Sequence, residues 1–243
     1  MTGKIRFWFG LWGFTAMLAW APAVFAVEAG KVLARVGQVT ASQPSAEARR
    51  LDVGSVVLGG DLIRTASNAS VQIRYTDGAL VSLTANSLYR VDDYAYAPGE
   101  RGFFSLLKGG LRTLTGLIGK GEPAGYRVNT PVATIGIRGT DYALRLCLDD
   151  CPSGFENGLY LSVFEGSIVA VNDVGEYLLK AGESAFIPAA GLPLQRRDDA
   201  FIGFGDLMPW HGAGGGGSIT ALDDTGVSPV LEFRATDLVR CTP

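Results

Sequence analysis

The stretch Thr130-Pro-Val-Ala-Thr-Ile-Gly-Ile-Arg-Gly-Thr-Asp-Tyr-Ala-Leu-Arg-Leu-Cys147 begins as one strand pattern and ends as another. Ile135 and Ile137 are apolar at odd positions; Tyr142, Leu144 and Leu146 are apolar at even positions. Strand side chains alternate with a period of two, so an unbroken strand cannot change phase. The break falls at Arg138-Gly139-Thr140. A bulge or a corner there keeps the apolar side chains inward on both sides, and Gly139 is the residue suited to the required backbone. Arg138 then stands at the corner with five donors to satisfy. The expectation is that it bonds nearby carbonyls or an acid such as Asp141 or Glu165; a contact role for Arg138 is the alternative.

The flanking sequence repeats the theme of short strands and glycine turns. Val71, Ile73 and Tyr75 share one face, and so do Ala79, Val81 and Leu83, with Asp77-Gly78 as the turn between them. Tyr126 to Asn129, Ala133 to Ile137, Tyr142 to Cys147, Leu159 to Phe164 and Ser167 to Val171 read as further strands. Phe103 to Ile118 has helix-like apolar spacing, but Gly109-Gly110 and Gly116 oppose a helix, so it reads as strands joined by a glycine corner. A weak internal echo links Val36-Gly-Gln-Val39, followed by Leu51-Asp-Val-Gly54, to Glu165-Gly-Ser-Ile168, followed by Leu179-Lys-Ala-Gly182-Glu183. Chance similarity is its rival. Glycine supplies 33 of the 243 residues, about double its usual ~7% share, which suits turns and bulges rather than long helices. The predicted class is all-β, a β-helix-like or sandwich arrangement of short strands with glycine-rich corners.

The ends differ from the middle. Lys4 and Arg6 precede an apolar run from Phe7 to Trp20, and Val24-Phe25-Ala26 fits a small-residue cleavage rule, so residues 1–26 read as a signal peptide. An uncleaved anchor is the competing reading, and it is the one route by which this chain would touch a membrane. Removing residues 1–26 leaves 19 basic and 24 acidic residues, net −5. No basic run with interleaved aromatics occurs, so nucleic acid is not an expected partner. Residues 27–193 form the predicted β domain and 194–243 an irregular, glycine-rich tail, in which Val230 to Arg234 could add an edge strand.

The side chains that usually carry chemistry are sparse. The sole histidine, His211, lies in the glycine-rich tail, which opposes a Ser-His-Asp arrangement or a two-histidine metal helix. Cys147 and Cys151 read as a short disulfide loop in an exported protein; a zinc half-site is the rival, and Cys241 is left over. The acidic pairs Asp92-Asp93, Asp149-Asp150, Asp198-Asp199 and Asp223-Asp224 read as solvated turn residues. No cofactor and no catalytic activity are expected.

The opening stretch also resembles the signature of FecR-type domains, a bacterial envelope family. Thr130, Pro131, Arg138, Gly139, Thr140, Asp141 and Tyr142 fall on its pattern of Thr-Pro, a short apolar strand, Arg-Gly-Thr, an acid and an aromatic. Gly59-Gly-Asp-Leu-Ile-Arg-Thr65, Asp77-Gly-Ala-Leu-Val-Ser-Leu83, Val163-Phe-Glu-Gly-Ser-Ile-Val169 and Lys180-Ala-Gly-Glu183 match further elements in order. The resemblance spans about residues 30–190 and implies a periplasmic all-β module working by contact with another envelope protein, in signalling or assembly. With six residues before the apolar run, the chain departs from relatives that carry a cytoplasmic anti-sigma segment. A binding module for a cell-surface glycan or cell-wall ligand is the alternative.

Overall fold

A computed structural model of the chain describes residues 27–197, apart from positions 45, 97–99, 122 and 152–153. The expected signal peptide, His211, Cys241, the pairs Asp198-Asp199 and Asp223-Asp224, and the Val230–Arg234 strand lie outside the described residues. Fifteen strands follow in order among the described residues. They are β1 (Glu28–Val36), β2 (Val39–Gln43), β3 (Ala46–Arg50), β4 (Val56–Leu58) and β5 (Leu62–Thr65). Next come β6 (Ser70–Tyr75), β7 (Leu80–Leu83), β8 (Leu88–Ala95), β9 (Arg101–Leu114) and β10 (Tyr126–Asn129). The last five are β11 (Thr134–Cys147), β12 (Gly158–Val171), β13 (Glu176–Lys180), β14 (Ser184–Ile187) and β15 (Gln195–Arg197). Two short 3-10 turns, Ile118–Lys120 and Pro123–Gly125, are the helical content of the described residues. β15 carries the sheet past residue 193, where the sequence reading ended the domain.

Of the two expected arrangements the fold is the sandwich, made by one hydrogen-bonded network folded over itself. The first layer runs β4-β1-β6-β7-β9-β11-β12-β14-β15, and the second runs β3-β2-β5-β8-β9-β10-β11-β12-β13. Three 14-residue strands, β9, β11 and β12, belong to both layers. Their halves have different partners. Arg101 to Lys108 of β9 pair with β8, while Gly109 to Leu114 pair with β11. Thr134 to Arg138 of β11 pair with the end of β12, and Tyr142 to Cys147 with its beginning. Each strand changes layer at a glycine of positive φ: Gly109 (84°), Gly139 (56°) and Gly166 (73°). Strands that switch sheets make the corners of such sandwiches, and the left-handed backbone is cheap only for glycine. The two strands expected on either side of Gly139 are therefore one bent strand, and the same holds at Gly109 and Gly166.

The internal echo is a structural repeat. β1 and β2 bend at Gly37, β3 returns along β2, and β4 returns along β1. At the other end of the sandwich β12 bends at Gly166, β13 returns along its second half, and β14 along its first. The backbone bonds correspond. Gly54 N–H donates to Val32 C=O (2.8 Å) as Gly182 N–H donates to Val163 C=O (2.8 Å). Both turns use a glycine at φ 82°. In both, the side chain after that glycine accepts a backbone N–H three residues earlier: Ser55 from Asp52 (2.8 Å), Glu183 from Lys180 (2.7 Å). Asp61 does the same for Leu58 (2.8 Å) after Gly60 at φ 87°. The resulting bent hairpins close the two ends of the sandwich.

The core lies between the layers. Val71, Ile73, Val81, Leu83, Leu144, Leu146 and Leu161 face it from the first layer and Val91, Leu106, Val128, Ile135 and Ile168 from the second; all are 2% exposed or less. Burying such a side chain contributes ~1.5–3 kcal/mol. Five tyrosines also point inward: Tyr75, Tyr89, Tyr94, Tyr126 and Tyr142. The rings of Tyr75, Tyr89, Tyr94 and Tyr126 pack about Phe104, with Tyr75 edge-on at 5.4 Å and Tyr89 stacked at 5.8 Å. Their hydroxyls bond one another across the layers, Tyr75 to Tyr89 (3.1 Å) and Tyr126 to Tyr142 (2.8 Å). Tyr94 donates to Asp77 (3.2 Å). Asp77, at the turn between β6 and β7, is itself buried and accepts the N–H groups of Ala79 and Ile118. It ties the hairpin to the 3-10 turn, a duty beyond supplying the Asp-Gly bend.

Candidate functional site

The Thr130–Tyr142 motif divides into residues that build the corner and one that does not. Thr130 Oγ1 accepts the N–H groups of Val132 (3.1 Å) and Ala133 (2.9 Å) and donates to the Ala133 carbonyl (2.8 Å). It holds the turn between β10 and β11, with Pro131 exposed at its tip. At the bulge, pairing with β12 slips between Arg138 and Tyr142. A Cβ on Gly166 would lie 2.2 Å from the Gly139 carbonyl oxygen, so the close approach of the two corners requires glycine at 166. Thr140 is buried; its N–H donates to Thr115 Oγ1 (2.9 Å) and its carbonyl accepts the Thr115 N–H (3.0 Å). Tyr142 belongs to the buried tyrosine cluster.

Asp141 is held by Arg112, not by Arg138. Arg112 Nε and Nη2 donate to the two Asp141 oxygens at 2.9 and 2.7 Å, and the guanidinium lies 4.2 Å from the Phe164 ring centre. A bidentate pair of this kind adds geometric constraint as well as charge. Arg138 is exposed and makes no hydrogen bond or ion pair with a described residue, so the expected pinning role is not observed. The reason is the corner itself. Arg138 precedes the bulge and projects from the second layer, whereas Asp141 follows it and projects from the first.

Arg138 borders a strip on the outer face of the second layer. Register places Thr134, Val171 and Glu176 in one row, Gly136, Val169 and Leu178 in the next, and Arg138, Ser167 and Lys180 in the third. Val171 is 43% exposed and Leu178 48%. Space above Gly136 is open, with only the Val169 carbonyl within 4.0 Å of an added Cβ. Arg127, one residue before the Val128–Ile135 pair, comes level with Gly136 and lies over the Phe103 ring at 3.8 Å. Arg127 and Lys180 are exposed and make no close ion pair with a described acid. The strip is thus shallow, with exposed aliphatic side chains, the cations Arg127, Arg138 and Lys180 at its rim and one acid, Glu176, at the end of its first row. Sequence reasoning singled out Arg138 alone. The other rim and floor residues lie up to 53 positions from Arg127 to Lys180, and only strand register brings them together.

The remaining candidates have structural settings. Cys147 and Cys151 are disulfide-bonded with Cα atoms 5.5 Å apart, and Cys147 is buried against Tyr160 and Phe186 on the outer face of the first layer. The zinc half-site is thereby replaced. Among the described residues no group of three His, Cys, Asp or Glu could hold a metal ion. Asp149 lies in a turn as expected, at φ 60°, bonded to Asn157. Asp92 and Asp93 do not: they sit on β8, where Asp92 accepts from Ser105 (2.6 Å) and pairs with Arg90, and Asp93 pairs with Arg101. A bulge between Val91 and Asp93 lets both neighbours find partners.

Comparison with known proteins agrees with the motif. No curated protein sequence matches the chain. Solved structures do, among them two crystal structures of a protein described as an anti-sigma factor from Parabacteroides distasonis. They are 14% and 16% identical, with TM-scores of 0.42 and 0.43, each match covering 55% of this chain and 57% of the other. The chain spans little more than half the length of those proteins, and nothing of their function is carried over. The family model described as FecR protein matches residues 61–169, from the buried Asp61 to Val169 of the strip. Residues 61–169, 109 of the 243, match the FecR family model, and the likeness of this chain to FecR proteins lies in that segment.

Proposed function

We propose that this protein is an exported, non-catalytic envelope module that works in signalling by binding another envelope protein through the Arg138 face. The observation that carries the reading is the division of labour within the motif. Asp141 has Arg112, Thr130 and Thr140 hold turns, Tyr142 is in the core, and of the motif's residues Arg138 is the one that is charged, exposed and without a partner among the described residues. An unpaired arginine beside exposed Val171 and Leu178 has the character of an interface anchor, since arginine is enriched where binding energy concentrates. The FecR match and the leader-like residues 1–26 support a site of action in the periplasm. The strip's exposed apolar side chains, Val171 and Leu178, are aliphatic and its Phe103 ring is covered by Arg127, which suits a protein surface better than a sugar ring.

A photoreactive residue in place of Arg138 or Lys180, in intact cells, tests this. The expected product is the same protein captured from both positions, and not from Arg64 on a distant strand. Arg138→Ala should leave stability within about 0.5 kcal/mol of the parent, as for other solvated surface changes, yet abolish capture from Lys180. Recovery of polysaccharide alone, or capture from Arg64 equal to that from Arg138, refutes the proposal.

A further inference from the structure

We infer that the Arg138 face is covered, until a partner displaces it, by the chain's own segment Phe201-Ile-Gly-Phe-Gly-Asp-Leu-Met-Pro-Trp210. The inference rests on reading that face as a contact surface, and it supplies a regulator for it. Three observations point to this occupant.

The first is charge. Residues 27–197 carry 17 basic and 17 acidic side chains, whereas residues 198–243 carry two basic and seven acidic, net −5. A neutral domain is joined to an acidic extension; in the strip Arg127, Arg138 and Lys180 outnumber the one acid of its rows, Glu176, and Glu183 lies near Lys180 alone. Complementary potentials of this kind guide and orient association. A second copy of the chain would instead set Arg127, Arg138 and Lys180 against the same three cations.

The second is position. β15 ends at Arg197, and its Arg196 donates to the carbonyl of Leu178 (3.1 Å) while pairing with Glu183 (2.8 Å). The chain therefore leaves the domain beside a residue of the strip. Tethering of this kind makes docking effectively intramolecular, with a local concentration in the millimolar range for a short linker.

The third is shape and polarity. The segment offers Phe201, Ile202, Phe204, Leu207 and Met208 with a single charge, Asp206. The strip offers exposed Val171 and Leu178 and the hollow above Gly136, with cations at its edge. Aromatic side chains can fill a hollow lined by aliphatic groups while Asp206 meets Lys180 or Arg138.

Zero-length carbodiimide coupling on the purified full chain, mapped by mass spectrometry, reads this directly. The expected link joins Lys180 to Asp206 within one chain. It should disappear at high salt and in Gly136→Glu, which fills the hollow with a like charge. That variant has room for its side chain, and an unchanged circular dichroism spectrum and melting temperature would show that it folds. A link from Lys180 to Glu183, three residues away, serves as the reaction control. If the control link forms and the Asp206 link does not, the tail does not occupy the face. If mixed isotope-labelled and unlabelled chains give the Asp206 link between copies, a second molecule occupies it and the inference is overturned. Neither result depends on a partner protein, so failure of the cellular capture and failure of this inference are separable.

Discussion

At the scale of single residues, three glycines make the same bend for different local reasons. Gly139, Gly109 and Gly166 all have positive φ, but an added Cβ meets nothing within 4 Å at Gly139. At Gly109 it would lie 2.4 Å from Ser87 Oγ and 2.6 Å from Ser87 Cα, and at Gly166 it would strike a carbonyl oxygen. Gly139→Ala should therefore cost only the left-handed backbone strain, ~1–2 kcal/mol. Gly166→Ala and Gly109→Ala add overlap with fixed backbone and should cost roughly 3 kcal/mol or more. Urea denaturation of the three variants checks the order; equal losses would mean that the strain alone governs all three. The phase change at Arg138-Gly139-Thr140 announced this bend from the alternation of side chains. What escaped it was the owner of Asp141, because Arg112 lies 29 positions away and is indistinguishable in sequence from any arginine facing out of a strand.

At the scale of elements, the unit is the bent hairpin with its glycine turn and side-chain cap. The cap appears three times, from the partly exposed Ser55 and Glu183 and from the buried Asp61. The backbone bond from Lys180 and the neighbouring Arg196 hold the Glu183 carboxyl below the ordinary carboxylate range. Ser55→Ala and Glu183→Ala remove a solvated cap and should each lower stability by ~1 kcal/mol. Asp61→Ala should cost more, roughly 3 kcal/mol or above, because Asp61 is fully buried and binds Arg49 and Gln43 as well as Leu58. Thermal melts of the three variants compare them; an Asp61 variant no worse than Ser55→Ala would show that its Arg49 and Gln43 bonds add nothing. The repeat was visible as paired glycine spacings, Gly37 to Gly54 and Gly166 to Gly182. Only the shared hydrogen bonds separate it from coincidence, since each copy has different residues around its glycines.

At the scale of the molecule, the two layers are joined through hydroxyl pairs in an otherwise apolar core. Burial raises the hydroxyl pKa of Tyr75, Tyr89, Tyr126 and Tyr142 well beyond the usual tyrosine value, and pushes that of Tyr94 up to about 12. A group whose folded pKa is raised favours the folded state fully below its unfolded pKa near 10 and loses that contribution as pH rises through the folded value. Stability should thus fall steeply above about pH 10. Tyrosinate absorbance for these five of the eight tyrosines should appear together with unfolding, not before it. A smooth titration of all eight near pH 10 in still-folded protein would contradict the closed core. The sequence alone determined the class, the strand phases and the corners, because alternation and positive-φ glycines are local properties of the backbone. It also carried the family motif. Tertiary structure decided the sandwich over a β-helix and merged pairs of expected strands into β9, β11 and β12. It also assigned Asp141 to Arg112 and assembled the Arg138 strip from β10, β11, β12 and β13. Those outcomes depend on which strands pair and in what register, and that is set by packing between residues tens of positions apart, where no local pattern reaches.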